Sequence, residues 1–226
     1  MNPTINRVAI LLSILGGYVD TLSFLSLQGL FAAHVTGNFV TLGAALVLGN
    51  SGITAKLLAL PVFCLVIIVT RLLAHGLERR GRAPLPMMLC LMLVLFLAAA
   101  VLAFRFSPFL GGDQWPALIT GMVLVSAMAI QNGAQRIHLP QIPPSTLMTG
   151  STTQAMLDIA DLVAGKAGDE TAVIRGRFVR LGTSILSFAF GCAAAALLVH
   201  FAGAASYALP PLLALAILLH QPHKTA

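Results

Sequence analysis

The stretches Ala33-His34-Val35-Thr36-Gly37-Asn38 and Ser145-Thr146-Leu147-Met148-Thr149-Gly150-Ser151 interrupt a very hydrophobic chain of 226 residues. Each stretch contains a Thr-Gly pair, and the two pairs lie 113 positions apart, which is half of the chain. Polar, irregular backbone at membrane depth is costly unless protein buries it or it lines a cavity. Two such breaks at corresponding positions of two halves indicate a binding or permeation site.

The composition around these breaks is that of a membrane protein. Hydrophobic residues make up 58% of the chain, charged residues make up 9%, and the mean hydropathy is +0.94. A soluble domain is about a quarter charged. We therefore predict one membrane domain over 1–226, with pseudo-repeats of about 1–113 and 114–226. The net charge of +6 does not indicate nucleic-acid binding, because Lys and Arg cluster at the ends of apolar segments.

Hydropathy predicts an all-α, polytopic helix bundle with eight apolar segments. Six are long enough to cross a hydrocarbon core of about 30 Å: 7–31, 53–77, 85–106, 115–138, 175–202 and 204–220. The first is predicted to be an uncleaved span, because no small-residue cleavage site follows it. The segments 34–49 and 146–164 follow the Thr-Gly pairs and are short or polar, so we predict broken or re-entrant helices and leave full crossing open.

The distribution of basic residues predicts the orientation. If six segments span and the short ones return to the side they entered, eleven of the thirteen Lys and Arg residues lie on one side. The other side holds only Lys56 and Arg105. This bias predicts that the N- and C-termini are both cytoplasmic. Three spans per half is an odd number, so the halves would have opposite orientations and form an inverted 3+3 repeat.

Asp20, in Gly16-Gly17-Tyr18-Val19-Asp20, is a carboxylate well inside the first span. An intramembrane carboxylate predicts function, although Asp20 could also cap or pair with a neighbouring helix break. A shift of 113 positions places Asn132-Gly133 opposite this stretch, with Gln131 and Gln135 as uncharged hydrogen-bonding groups. His34 could relay protons with Asp20, or it could form a hydrogen bond at a helix interface.

The two Thr-Gly pairs are predicted to start the two short helices. Thr, Asn and Ser side chains satisfy free backbone N–H groups at such positions, and glycine permits close approach. Helix starts also attract anions and polar solutes. The candidate substrate-binding or coupling residues are therefore Tyr18, Asp20, His34, Thr36, Gly37, Asn38, Gln131, Asn132, Thr149, Gly150 and Ser151.

Small residues predict where the spans touch, because helices in lipid rely on the close approach of small side chains. We expect such contacts at Ser13 and Gly17 of the first span and at every fourth residue of the fifth span. This series is Thr183, Ser187, Gly191 and Ala195. The cysteines at 64, 90 and 192 lie in apolar stretches without a CxxC pair, so we predict core residues and neither ligands nor a disulfide.

The remaining polar positions predict surface roles. Asp158 and Asp161 are expected in a solvated interfacial ion cluster with basic residues at 166, 175 and 177, and Gly111-Gly112-Asp113 in an exposed loop turn. The sequence contains no HExxH, GxSxG or P-loop motif. We therefore predict no enzyme, no cofactor and no metal site.

The motifs taken together resemble the YoaK family, bacterial inner-membrane proteins defined by a domain of unknown function. The resemblance covers nearly the whole chain. It rests on Gly-Gly-Tyr-Val-Asp-Thr-Leu-Ser-Phe at 16–24, Phe-Ala-Ala-His-Val-Thr-Gly-Asn-Phe at 31–39 and Thr-Leu-Met-Thr-Gly at 146–150. It implies a bacterial integral membrane protein of about six helices, in a group often assigned to the permeases. It brings no established substrate or catalytic residue.

Three functions are compatible with these patterns. The leading hypothesis is a transporter or channel for a small solute, with Asp20 as the coupling carboxylate and Gln131 and Asn132 as neutral partners. The alternative is a non-transporting lipid-interacting or assembly factor. An intramembrane enzyme is less favoured, with Asp20 and His34 as the one pair to nominate. The expected partners are membrane lipid and an unidentified small solute, but no nucleic acid, and a homodimer is compatible with so small a protein.

Overall fold

The structure is a computed structural model that describes residues 3–49, 51–165 and 168–221, and it is a bundle of α-helices without strands in that part of the chain. The helices are α1 (Pro3–Ser26), α2 (Gly37–Leu48), α3 (Ile53–Glu78), α4 (Pro84–Phe106), α5 (Trp115–His138), α6 (Met148–Val163), α7 (Thr171–Ala202) and α8 (Leu209–Leu219). The predicted all-α, polytopic membrane bundle is confirmed.

Five runs in the described residues are long and apolar enough to cross a membrane. They are Thr4–Ser26, Ile53–Glu78, Pro84–Phe106, Trp115–His138 and Gly168–Leu219. The predicted fifth and sixth spans both lie in the last run, where a 3₁₀ turn at Gly203–Ala208 separates α7 from α8. The short helices α2 and α6 are not among these runs, in agreement with their predicted short or polar character.

The first predicted segment ends earlier than hydropathy indicates. α1 stops at Ser26, because Gln28 and Gly29 take positive φ values of 56° and 79°. Left-handed backbone of this kind cannot continue a right-handed helix. The chain therefore leaves α1 as a loop, and the apolar residues up to Phe31 belong to the connection that precedes α2.

The helices α1 and α5 form the interior of the bundle. In each, 67% of the most apolar window is buried, compared with 17% for α3. α1 packs against α7 and α8, α5 packs against α3 and α4, and α1 and α5 also touch each other. The outer helices therefore expose large apolar side chains that lipid would cover in a membrane.

Two glycines allow α1 and α7 to touch backbone to backbone. A Cβ atom added at Gly17 would overlap the carbonyl oxygen of Phe188, and one added at Gly191 would overlap that of Ile14. Asn6 of α1 shares a cavity with Val179 of α7, nearer to the start of both helices. The two helices therefore run in the same direction.

The predicted small-residue seam of α7 is right at Gly191 and Ala195, which are buried. It is wrong at Thr183, which is exposed and donates its hydroxyl hydrogen bond to the Val179 carbonyl. Ser184 is the buried residue instead. A strict four-residue step drifts away from one face because the α-helix has 3.6 residues per turn.

The helices α1 and α5 run in opposite directions. Near one end, Gln131 donates a hydrogen bond to the Leu12 carbonyl oxygen, and beyond the other end Leu30 packs at Gly121. Both helices have 24 residues, and their first residues, Pro3 and Trp115, lie 112 positions apart.

The predicted exposed turn at 111–113 is wrong at Gly112, which is buried against Gly52. Asp113 beside it accepts hydrogen bonds from the Gly52 N–H at 2.9 Å and the Thr54 N–H at 2.7 Å. Burial raises the pKa of Asp113, but these backbone hydrogen bonds outweigh it and hold the pKa below its usual value. The loop therefore caps α3, whose first N–H groups lack helical partners.

The predicted core location of the cysteines is wrong for Cys64 and Cys90, which are exposed on the bundle surface. Cys192 is half-buried, and all three thiols are free. The apolar stretches that contain Cys64 and Cys90 face outward, because a membrane protein places apolar side chains on both its interior and its lipid-facing surface.

The contact between α1 and α7 predicts opposite effects for two glycine substitutions. Gly191→Ala should lower the melting temperature in detergent, because its Cβ overlaps the Ile14 carbonyl. Gly182→Ala on the same helix should leave it equal or slightly higher, since no atom lies within 4 Å of its Cβ position and alanine favours a helix by up to about 1 kcal/mol. Equal melting temperatures for the two variants would contradict the close contact.

Candidate functional site

The candidate site is built around Asp20, which is 4% exposed in α1. Its Oδ1 accepts hydrogen bonds from the Ala33 N–H at 2.6 Å and the His34 N–H at 3.1 Å. Its Oδ2 lies 3.2 Å from the backbone nitrogen of His34 and 2.6 Å from the ring nitrogen Nδ1 of the same residue. The positive φ angles after α1 turn the chain back, so that the loop returns to Asp20 about fourteen positions later.

The short contact with Asp20 assigns the proton of neutral His34 to Nδ1, which donates to the carboxylate. Nε2 is then the ring nitrogen with a free lone pair. The hydrogen bond to Asp20 raises the pKa of His34 above its ordinary value, and burial opposes this shift. The pair therefore combines a buried carboxylate with a half-buried, titratable imidazole.

Asn38 fixes the other part of the same loop. Its Oδ1 accepts a hydrogen bond from the Phe31 N–H, and its Nδ2 donates to the Phe31 carbonyl, both at 2.8 Å. Asn38 lies at the start of α2, as predicted, and its side chain satisfies backbone groups of the preceding loop. One buried side-chain amide therefore satisfies both the backbone donor and the backbone acceptor of the partly buried Phe31.

The predicted capping of α2 by Thr36 is wrong. Thr36 is exposed, and its side chain makes no capping hydrogen bond. The first N–H groups of α2 donate to carbonyls of the loop instead: Gly37 to His34, and Asn38 to Val35. This start of a helix consequently offers few free N–H groups to an anion.

A cavity of about 450 Å³ lies beside the Asp20–His34 pair, between α1, the α1–α2 loop and α7. Its walls are mostly aromatic, with Phe24, Phe31 and Phe188 around the imidazole. The ring centre of His34 is 6.4 Å from that of Phe31 and 6.0 Å from that of Phe188, both edge-on. Thr21, Gly37 and Cys192 complete the lining.

The second half of the chain repeats this loop attachment without a charge. Thr146 Oγ1 donates to Asn132 Oδ1 at 2.7 Å, and Gln131 Nε2 donates to Ser145 Oγ at 3.0 Å. Each contact joins residues 14 positions apart, as the Asp20–His34 contact does. Asn132 and Thr146 lie 112 positions after Asp20 and His34, respectively. This shift is one position less than the shift between the two Thr-Gly pairs.

Gln135 adds a third polar attachment to this second loop. Its Nε2 donates to the Pro143 carbonyl at 2.6 Å, and its Oε1 accepts from the Ser145 hydroxyl at 2.7 Å. Gly16 of α1 packs closely against the same loop, since a Cβ atom added at Gly16 would lie 2.9 Å from the Ser145 carbonyl oxygen. The loop before α6 is therefore held by α5 and α1 together.

The two Thr-Gly breaks do not share one cavity. Gly37 lines the cavity beside Asp20, whereas Thr149 lines a different surface cavity and Asn132 a third one. Gly150 is exposed, and no atom lies within 4 Å of its Cβ position.

The other two predicted site residues have structural contacts. Ser151 is buried and donates its hydroxyl hydrogen bond to the Leu147 carbonyl, so it does not cap α6. Tyr18 is fully buried, and its hydroxyl donates to the Ser206 carbonyl at 2.7 Å. This bond ties α1 to the turn between α7 and α8, away from the wall of the cavity beside His34.

The predicted solvated ion cluster is wrong at Asp158, which is fully buried between α6 and α7. Its Oδ1 accepts from Arg177 Nη2 at 2.6 Å and from Gln154 Nε2 at 2.8 Å. The hydrogen bond from Arg177 lowers the pKa of Asp158, and burial opposes it. Asp161 is exposed as predicted, while Lys166 lies outside the described residues.

The aromatic residues that line the cavity, Phe24, Phe31 and Phe188, are not among the predicted site residues. Phe24 could have been found, because it follows Asp20 by one helical turn and shares its face. Phe188 and Cys192 carried no comparable signal, because they lie far along the chain and reach Asp20 only through the packing of α7 on α1.

The chain belongs to the family described as "Protein of unknown function (DUF1275)", whose model matches residues 8–220. No curated protein and no solved structure matches it. The family match covers both loops and the Asp20–His34 pair, and it brings no substrate. The resemblance to the YoaK family and a bacterial origin remain predictions.

The Asp20–His34 pair predicts a pH-dependent contribution to stability. The pKa of His34 is raised in the folded state, so its contribution is complete below the unfolded pKa of about 6.5 and is lost as the pH rises through the folded pKa. His34→Asn keeps a donor near the Nδ1 position but cannot be charged. We expect the loss of melting temperature to be larger at pH 5.5 than at pH 9.

Thermal unfolding in detergent, followed by tryptophan fluorescence, measures this difference. His200→Asn serves as the control, because His200 is exposed on α7. A loss for His34→Asn that is the same at both pH values would contradict the charged pair.

The buried Asp158 carboxylate predicts a second effect on stability. Arg177→Ala should lower the melting temperature clearly, because it leaves a fully buried carboxylate without its cationic partner. Arg175→Ala, at an exposed position of the same helix, should have little effect. Comparable melting temperatures for both variants would show that the ion pair does not hold α6 on α7.

Proposed function

We propose that the protein is a transporter or channel for a small solute in the bacterial inner membrane. The observation that carries the proposal is the Asp20–His34 pair on the wall of a cavity that opens at the surface of a helical membrane bundle. Ionisable groups within the membrane are expensive and mark pathways for solutes or protons. Asp20 is the coupling or coordinating carboxylate in this proposal, and His34 is the group that meets the solute.

An inverted repeat of the two halves is part of the proposal. It is supported by the antiparallel course of α1 and α5 and by their equal lengths. It is also supported by the packing of α1 on α7 in one case and of α5 on α3 in the other. In each half, a hydrogen bond between residues 14 positions apart attaches a loop to a helix, which adds local support. In such an arrangement α2 and α6 enter from opposite sides, and both termini are cytoplasmic by the positive-inside rule.

The cavity is linked mechanically to the loop that precedes α2. Asp20 holds the backbone of Ala33 and His34, and His34 is also part of the cavity wall. A solute that binds to His34 therefore acts on the hydrogen bonds that fix the loop. Movement of such a loop is a common way for a transporter to open a site to one side.

A non-transporting lipid-interacting or assembly factor is the second candidate. It is favoured by the separate cavities of the two breaks and by the complete hydrogen bonding of both Asp20 oxygens within the protein. In that case Asp20 and His34 would only hold the loop, and no solute would cross. A flux measurement separates the two candidates.

The test is uptake by proteoliposomes of a panel of radiolabelled amino acids, sugars, organic cations and organic anions. We expect wild-type protein to take up at least one solute above the level of empty liposomes. Asp20→Asn and His34→Asn should each reduce that uptake at least about tenfold, since the first removes the carboxylate and the second removes the titratable imidazole. Asp161→Asn, which alters an exposed carboxylate outside the cavity, should transport like wild type.

Two results would contradict the proposal. Uptake no higher than that of empty liposomes for every solute in the panel would favour the non-transporting candidate. Uptake by Asp20→Asn and His34→Asn at the wild-type rate would remove the pair from the mechanism. A monodisperse peak in size-exclusion chromatography must accompany each variant, so that loss of fold is not read as loss of transport.

A further inference from the structure

We propose that the cavity beside His34 binds a lipophilic organic cation and that this cation competes with a proton for the Asp20–His34 pair. The inference rests on the proposed function and names the chemical class of its solute. It is carried by the charge of the cavity wall, the aromatic rings around it and the position of its opening.

The charge of the wall favours a cation. Asp20 is the carboxylate on the wall, and no Lys or Arg lies among the described residues that line the cavity. With His34 neutral, the pair carries one negative charge in a largely apolar surrounding. Because charges interact strongly at low dielectric constant, this site attracts a cation and repels an anion.

The aromatic rings favour a cation of apolar, bulky form. Phe24, Phe31 and Phe188 contribute three rings to one cavity, and the faces of such rings attract positive charge. The volume of about 450 Å³ lies within the range of cavities that hold small organic molecules. An inorganic ion would need oxygen ligands in place of these rings.

The opening of the cavity suits a solute that arrives through lipid. Phe24 at its rim is 40% exposed on the surface of the bundle. Phe188 and Cys192 lie near the middle of α7, which places this side of the cavity well inside the hydrocarbon layer. A lipophilic cation concentrates in the membrane and can reach the cavity from the side.

Protonation of His34 changes the preference of the site. The protonated pair is neutral overall, and it places a positive charge at the nitrogen nearest to the solute. The titratable groups that face His34 are Asp20 from α1 and the thiol of Cys192 from α7, while α2 contributes Gly37 to the described lining. Where His34 is protonated, binding of one monovalent cation therefore releases one proton from His34 to water. Where His34 is already neutral, the cation binds without releasing a proton.

Binding of radiolabelled tetraphenylphosphonium to the purified full-length protein in detergent tests this inference. We expect saturable binding at pH 8.5 and a dissociation constant at least about tenfold higher at pH 5.5, and a tenfold factor corresponds to about 1.4 kcal/mol. His34→Asn should bind the probe with the same affinity at both pH values. Tetraphenylborate, an anion of the same shape, should not bind when it is measured in a separate assay.

The aromatic contribution has its own matched pair of variants. Phe188→Leu keeps an apolar side chain but removes the ring, so it should weaken binding about threefold to tenfold. Phe190→Leu is the control, because Phe190 is 64% exposed and does not line the cavity. Phe24→Leu at the rim is a second variant if Phe188→Leu is not monodisperse.

The inference is overturned if tetraphenylborate, measured in a separate assay, binds as tightly as tetraphenylphosphonium does. It is also overturned if the affinity does not depend on pH, or if Phe188→Leu and Phe24→Leu both bind like Phe190→Leu. These assays contain no membrane gradient and are independent of transport. If tetraphenylphosphonium binds as expected but no solute is taken up, the proposed transport is rejected and the cation site is kept. If another solute is taken up but tetraphenylphosphonium does not bind, the cation site is rejected and the proposed transport is kept.

Discussion

The requirement that buried backbone groups find hydrogen-bond partners within the protein determines this structure. A loop between two membrane helices has no helical hydrogen bonds of its own, and hydrocarbon supplies none. Asp20 satisfies the N–H groups of Ala33 and His34, and Asn38 satisfies both backbone groups of Phe31. The Asp20 carboxylate is thus the hydrogen-bond acceptor that fixes this loop.

The same requirement is met differently in the second half. Asn132 and Gln135 hold the loop before α6 through Thr146, Ser145 and the Pro143 carbonyl, without any charge. The two halves therefore share a geometry of attachment but differ in electrostatics. The titratable pair therefore lies in the first half, whereas Phe188 and Cys192 of the second half complete the lining of the cavity beside it.

Packing then converts the loop attachment into a site. The crossing at Gly17 and Gly191 brings α7 into backbone contact with α1 and places Phe188 and Cys192 opposite Asp20. A larger residue at either glycine would separate the helices and open the wall of the cavity. The helix contact, the loop and the aromatic wall consequently depend on one another.

The sequence by itself determined the approximate positions of the helices and the presence of a carboxylate within the first helix, close to a helix break. Hydrophobic runs bounded by polar residues define helices such as α3 and α5 to within a residue, because burial in lipid depends on composition alone. Only the tertiary structure decided that Asp20 pairs with His34, that Asp158 is buried, and that Phe188 faces the pair. These outcomes depend on backbone turns at positive φ and on contacts between distant helices, for which no local pattern of residues exists.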